Sequence, residues 1–248
     1  MKISVITVCY NASKTISETL ESIQSQDYSN FEHIVIDGMS TDGTIEMLNQ
    51  KSDQIDQFIS EKDSGIYDAM NKGIALATGD VIGFLNADDV YAYNSVLTDV
   101  SKAFEQEKSE TVYGDLQYIT ADGPEKVLRH WKAGAYRRER FKNGWMPPHP
   151  TFFAKKELFE NFGSFNTDFK ISADYELMLR FLFKNQVTSA HIPGVLVKMK
   201  VGGTSNQSIN SRIIANREDR MAWKVNGLKQ MPFTSILKPL RKISQFWS

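Results

Sequence analysis

Asp88 and Asp89 stand side by side in LNADDVY, directly after the apolar run DVIGFL. Adjacent carboxylates repel, so a strand end is a costly place to hold two of them. A turn or a helix N-cap is one use of such a pair. A hard divalent cation is the other, because Mg2+ or Mn2+ takes one or two carboxylates and fills its shell with water and phosphate oxygens. A third acid, Asp37, closes the apolar run HIVID and leads into GMSTDGT. It could accept from a base N–H or a ribose hydroxyl, although any strand-to-helix turn uses these residue types. Asp174, in ISADYEL, falls where a helix begins, either as a carboxylate favoured by the helix dipole or as a general base.

Other residues offer weaker chemistry. His149 in PPHPTFF is either a ligand for metal or phosphate, or a loop histidine fixed by its prolines. His33, His130 and His191 lack the spacing of a zinc site. The stretch RHWKAGAYRRERFKNGW sets Arg129, Lys132, Arg137, Arg138, Arg140 and Lys142 against Glu139. It reads either as a solvated loop or as a surface for phosphate or acceptor, with Trp131 and Trp145 as sugar platforms. No G-x-G-x-x-G and no G-x-x-x-x-G-K-[ST] occurs, which disfavours a dinucleotide fold and a P-loop.

The elements that must position these acids alternate. Ile3–Val8 reads as a first strand, and Ile16, Leu20 and Ile23 fall at helical spacing. HIVID is a second strand, followed by a helix with Ile45 and Leu48 inward. DQFIS is a third strand. SGIYDAMNKGIALAT is a helix with Ile66, Met70 and Ile74 on one face, and DVIGFLN is a fourth strand. Such alternation predicts an α/β/α sandwich, Rossmann-like, around a mostly parallel sheet whose polar strand ends gather on one edge. After residue 110 the pattern changes. TVYGDLQYIT and PEKVLRHW read as a hairpin, TFFAKKELFENF as a strand running into a helix, and SADYELMLRFLF as a helix. The expected division is 1–110 with the acids Asp37, Asp88 and Asp89, 111–205 with Asp174, and 206–248 for a C-terminal tail.

Composition narrows the classes. The 248 residues carry a net charge of −1, yet residues 206–248 hold eight Lys/Arg against Glu218 and Asp219. An acidic body with a basic tail suits a cation site in one place and an anionic partner in another. Phe233, Ile236, Leu237, Leu240, Ile243 and Trp247 recur at roughly helical spacing among Lys238, Arg241 and Lys242. That pattern fits a helix on the body or peripheral attachment to an anionic membrane. No run is long enough to span a bilayer, and the body is not basic enough for nucleic acid. Cys9 is the single cysteine, so no internal disulfide forms. It reads as a small buried hydrophobe.

Four segments, in order, resemble the family 2 glycosyltransferases: SVITVCYNASKTISETLESIQSQDYSNFEHIVIDGMSTDGT, EKDSGIYDAMNKGIALATGDVIGFLNADD, HPTFFAKKELFENFGSF and SADYELMLR. The resemblance implies the GT-A fold and inverting transfer from a nucleotide diphosphate sugar, of UDP type, to a saccharide or lipid-linked acceptor. It implies assembly of cell-envelope polysaccharide or glycolipid, while the lone Cys9 fits a cytoplasmic location and the basic tail fits peripheral attachment to the membrane. By that resemblance Val8 and the loop through Asn11 approach the base, and Asp37 binds uridine or ribose, with Gly38 where relatives often carry a second acid. Asp63 lies near base and ribose, and Lys72 near phosphate. Asp88 contacts ribose or sugar, Asp89 ligates Mn2+ or Mg2+, and Asp174 is the base. Asn86 replaces an acid common in relatives, and Ala173 a frequent Glu. A sugar-nucleotide-forming nucleotidyltransferase and a non-catalytic carbohydrate-binding protein of the same fold are the competing readings.

Overall fold

Every residue of β1 (Ile3–Cys9) is buried, because helices cover both faces of its sheet. Alternation sorts the strand into two layers. Ile3 and Val5 join Ile23, Val96 and Val100, while Ile6 and Val8 join Met70, Ile74 and Leu179. In this computed structural model residues 1–121, 123–201 and 209–229 are described.

β2 (Phe31–Asp37) and β4 (Val81–Phe84) flank β1, and β3 (Gln57–Ser60) flanks β2; all of these ladders are parallel. The crossovers are α1 (Ile16–Gln24), α2 (Thr44–Gln50) and α3 (Ile66–Leu76). Their inward residues follow the sequence pattern except at Ile45, which is half-buried between buried Thr44 and Leu48, and at Ile66. Ile66 is exposed and Tyr67 is buried in its place. Gly65 enters the helix at φ 127°, so the first helical side chain is left at the mouth of the sheet edge. The register pairs Cys9 with Asp37 and Asp37 with Ser60, so polar strand ends finish together.

Beyond β4 the chain leaves the parallel block. β5 (Asp89–Tyr91) pairs antiparallel with β9 (Ser189–Lys200). After α4 (Val96–Glu107), β6 (Thr111–Ile119) and β7 (Val127–Trp131) form the expected hairpin. β8 (Phe153–Lys155) runs antiparallel to both β4 and β6, and β9 runs parallel to β6. The nine-stranded sheet has the order β3-β2-β1-β4-β8-β6-β9-β5, with β7 on β6. It passes without a break across residue 110, so the two expected halves share one sheet.

α5 (Lys156–Phe162) follows β8, and α6 (Ala173–Met178) continues into a π-helical turn, Leu179–Lys184. α7 (Ile209–Val225) lies against α6. Its Trp223 is buried, and the indole N–H donates to Tyr175 Oη at 2.9 Å. The tail positions from Phe233 to Trp247 lie outside the described residues. No helix among the described residues is long and apolar enough to cross a membrane.

Candidate active site

The edge where β1, β2, β3 and β4 end holds the acids, but in different states. Asp37 is fully buried. Its Oδ2 accepts from the Ser40 amide at 2.9 Å and from Ser60 Oγ at 2.7 Å. Its Oδ1 accepts from Ser40 Oγ, and from Cys9 Sγ at 3.5 Å. A carboxylate with these donors and no exposed surface holds the β2–α2 turn. It has little left to offer the uridine or ribose expected of it. Cys9 is buried as expected, and burial together with Asp37 pushes its thiol well up, which leaves it inert.

Asn11 serves the same turn. It adopts a left-handed φ of 51°, its Oδ1 accepts from the Thr41 amide at 2.9 Å, and its own amide donates to Ser40 Oγ at 2.8 Å. The Val8 side chain belongs to the core, so any approach of β1 to a base is by backbone. Asp63 is half-buried, and its Oδ1 accepts from the Gly65 amide at 2.9 Å. A Cβ on residue 38 would stand 2.5 Å from Asp63 Oδ2 and 3.4 Å from the Tyr10 ring. Gly38 therefore makes room for Asp63. Around this acid Tyr10, Met39 and Ile66 expose large apolar surface. Lys72 does not wait for phosphate: Nζ is 2.8 Å from Glu61 and 2.9 Å from the Lys62 carbonyl.

At the end of β4 the chain turns through Asn86 to Asp88 into β5. Asp89 is fully buried, whereas Asp88 is partly exposed. Asp89 Oδ1, Asp89 Oδ2 and Asn86 Oδ1 have no hydrogen-bond partner among the described residues. Burial, then the charge of Asp88, push the Asp89 carboxyl well above the usual carboxylate range, against a smaller pull from the Asn86 side chain. Burial raises Asp88 as well, and Lys200 opposes it. Orphaned buried oxygens beside an exposed acid fit a cation, which would remove both the repulsion and the missing partners. Among the described residues no group of three or more His, Cys, Asp or Glu could hold a metal by itself. A cation here would complete its shell from a bound phosphate and water.

Asp174 is the second residue of α6 and is half-buried. Tyr67 Oη, from α3, donates to the Ile171 carbonyl at 2.6 Å and reaches Asp174 Oδ1 at 3.4 Å. The carboxylates of Asp89 and Asp174 both act on the Tyr118 phenol, which burial pushes up. His149 packs between the rings of Phe84 and Phe165, each centroid 5.7 Å away. Its Nε2 is buried and unpartnered among the described residues, and burial lowers its pKa against the pull of Asp174. It is thus a histidine packed among aromatic rings.

The tryptophans and basic residues between 129 and 145 differ from expectation. Trp145 is buried, packs edge-on to Tyr113 and Phe141, and donates to the Ala133 carbonyl at 3.0 Å. It is a core residue, not a sugar platform. Arg138 Nε donates to the Phe183 carbonyl and Arg140 Nη1 to that of Ala135, at 2.8 and 2.9 Å. Trp131 remains half-buried on β7, with the Arg129 guanidinium 5.5 Å from its ring and 4.6 Å from that of Tyr118. Tyr67 and Tyr118 were missing from the sequence-based set. An aromatic in a helix or strand looks like core, and only the fold brings the Tyr67 hydroxyl to Asp174 and the Tyr118 ring under Arg129.

Known proteins resemble this chain in sequence and in fold. Residues 4–164 match glycosyl transferase family 2. A PGL/p-HBAD biosynthesis glycosyltransferase of Mycobacterium bovis is 27% identical over 216 residues, 85% of this chain and 82% of the relative. An uncharacterized glycosyltransferase of Mycobacterium tuberculosis is 33% identical over 180 residues, covering 72% and 68%. Residues 1–349 of S. aureus TarS, in complex with UDP-GlcNAc, superpose with TM-score 0.73 at 18% identity, over 93% of this chain and 68% of that one. The chain spans 44% of the longer TarS structure. The mannosyltransferase PcManGT of Pyrobaculum calidifontis, with GDP-Man and Mn2+, superposes with TM-score 0.65 at 21% identity, over 95% and 67%. These superpositions show the GT-A fold. With its sheet, its strand-end acids and the match over residues 4–164, the chain belongs to glycosyl transferase family 2 and is a glycosyltransferase.

Proposed function

We propose that the chain is an inverting glycosyltransferase that moves a sugar from a UDP-sugar to a hydroxyl of a saccharide or lipid-linked acceptor in cell-envelope assembly. The observation that carries this reading is the pair of buried, unpartnered Asp89 carboxylate oxygens beside the partly exposed Asp88 at the end of β4. A cation there would hold a diphosphate, and Asp174 of α6, within reach of Tyr67 from α3, would supply the base. TarS was solved with UDP-GlcNAc, which supports a UDP-linked donor. PcManGT was solved with GDP-Man and Mn2+, which supports a divalent cation.

In this reading Asp63 takes the base-recognition role first given to Asp37, because Gly38 leaves it the space. Its carboxylate accepts from a base N–H, and Tyr10 offers the ring its face. Asp88, the more exposed acid, takes the direct ligand role first given to Asp89, and buried Asp89 stands behind it as a second carboxylate. Mn2+ or Mg2+ held there would neutralise the charge that develops on the departing diphosphate. Asp174 accepts the proton of the acceptor hydroxyl as its oxygen attacks the anomeric carbon and the bond to UDP breaks. Attack opposite the leaving group inverts that carbon, and no covalent enzyme intermediate is formed. His149 and Trp131 line the acceptor side.

Calorimetry with UDP tests the donor half. Wild type is expected to bind UDP with Mn2+ and at least tenfold more weakly without it, about 1.4 kcal/mol. Asp88→Asn should lose that difference. Equal affinity with and without Mn2+ in wild type would remove the metal from the proposal. A panel of UDP-glucose, UDP-galactose, UDP-N-acetylglucosamine and UDP-glucuronate, assayed for UDP release, then identifies the sugar.

A further inference from the structure

Asp174 and the segment before it are held from both sides by elements far away in the chain. On one side is Tyr67 of α3, through the Ile171 carbonyl. On the other is Glu218 of α7. Its Oε1 accepts from the amide of Lys170 at 2.8 Å, and its Oε2 accepts from those of Ile171 and Ser172 at 2.9 and 2.8 Å. Glu218 is buried, with 7% of its surface exposed. A buried carboxylate would be costly here unless its oxygens were satisfied, and these three amides satisfy them. The same three amides precede α6 and have no helical carbonyl to bond to, so they need an acceptor from elsewhere. Two further links tie α7 to the same helix: Trp223 to Tyr175, and Asn226 Nδ2 to Glu176 Oε1 at 2.9 Å. Both of these links fall on a residue within two positions of Asp174.

We infer that Glu218 is the positioning residue of the proposed base, setting Asp174 at the acceptor hydroxyl through the backbone of residues 170–172. The inference rests on the reading of Asp174 as base and extends it to α7, beyond the residues 4–164 that match the family. Glu218 touches no substrate. Its carboxylate fixes three successive peptides, and the helix that follows starts from them. Its bonds go to residues 170–172 and not to the donor-binding edge of β1 to β4, so the effect of losing it falls on the proton-transfer geometry. A displacement of about 1 Å at such a group can slow a reaction by two orders of magnitude.

The test uses the full chain with Glu218→Gln, which turns an amide donor toward the backbone donors, and Glu218→Asp, which keeps the charge on a shorter arm. Hydrogen exchange is read first, because it needs no substrate. In Glu218→Gln the amides of residues 170–172 should exchange at least tenfold faster, with β1 and β2 unchanged. Unchanged protection there overturns the inference whatever the enzyme transfers. UDP affinity with Mn2+ should stay within twofold of wild type. With whichever UDP-sugar of the panel wild type turns over, kcat should fall about tenfold or more at constant KM, and Glu218→Asp should recover part of the loss. A raised KM with unaltered kcat overturns the inference. A wild type that releases UDP from none of the panel counts against the transferase reading, and exchange alone then decides the role of Glu218. Should Glu218→Gln melt far below wild type, Glu218→Asp takes its place: faster exchange at residues 170–172 with lowered kcat supports the inference, and unchanged exchange overturns it.

Discussion

The proposed donor edge and the side of the proposed base, Asp174, are built by opposite strategies. At the donor edge, polar groups are held by near neighbours. Asp37 is bonded to Ser40, three residues on, and to Ser60 across one strand pairing. Asp42 takes the Thr44 amide and hydroxyl, two residues on. On the base side the partners are remote. Tyr67 lies 107 residues before Asp174, and Glu218 lies 46 to 48 residues after the amides that it holds. The β2–α2 turn is closed by its own residues, by the β1–α1 loop and by β3, so it folds with the parallel block. A base fixed by two helices is correctly placed only when both have docked. Damage at the donor edge should therefore appear first as lost stability, and damage on the base side as lost turnover in a folded protein.

The sharpest break of that contrast is Asp174→Asn. Turnover of the UDP-sugar should fall by about a thousandfold, near 4 kcal/mol, as befits loss of a general base, while UDP affinity with Mn2+ holds. Full activity in this variant would remove Asp174 from the mechanism. The donor side should answer next, to acid. His33 is buried in β2, bonded through Nε2 to Thr7 Oγ1 at 2.9 Å, and burial lowers its pKa to about 4. The unfolded chain binds this proton near pH 6.5 and the native chain only near pH 4, so stability is present above pH 6.5 and is lost as pH falls through that window. The loss approaches about 3 kcal/mol. Urea midpoints at pH 7 and pH 4.5 measure it, and His33→Gln should flatten the difference.

Smaller changes separate the two sides directly. Ser40→Ala removes the hydroxyl that donates to buried Asp37 and accepts from the Asn11 amide, and should cost about 2 kcal/mol of stability, seen by denaturant titration. Tyr67→Phe should leave the melting temperature within a few degrees of wild type yet slow turnover by about tenfold, because only the phenol oxygen that ties Ile171 to the site is lost. A variant of Ser40 that slows chemistry without destabilising the fold would erase the distinction. The smallest effect is expected at Lys72→Ala. Its ammonium is already paired with Glu61, so UDP affinity should change less than twofold, a difference that calorimetry resolves.

Much of the frame was legible beforehand. Runs such as HIVID and DVIGFL carry the two-residue alternation and apolar continuity of strands buried on both faces, and Ile16, Leu20 and Ile23 carry the helical period. The hairpin after residue 110 and the bend into α5 also follow from local pattern. Roles within the site were harder to read. Asp37 and Asp63 look alike as letters, yet one is enclosed by serines and the other faces the open edge beside Gly38. Asp88 and Asp89 are adjacent, yet Asp88 stays partly exposed in the turn while Asp89, the first residue of β5, is fully buried. Trp131 and Trp145 lie in one basic stretch, but only Trp145 enters the core.

Four segments in order carried the resemblance to the family, and the sequence alone also determined the alternating sheet and the acids at its edge, because periodicity and turn chemistry act over a few residues. Tertiary structure decided which acid is spent on its own turn, which faces the mouth, and that a buried glutamate on α7 holds the backbone ahead of Asp174. Burial and long-range hydrogen bonding depend on which surfaces meet after folding, and residue type alone does not encode that.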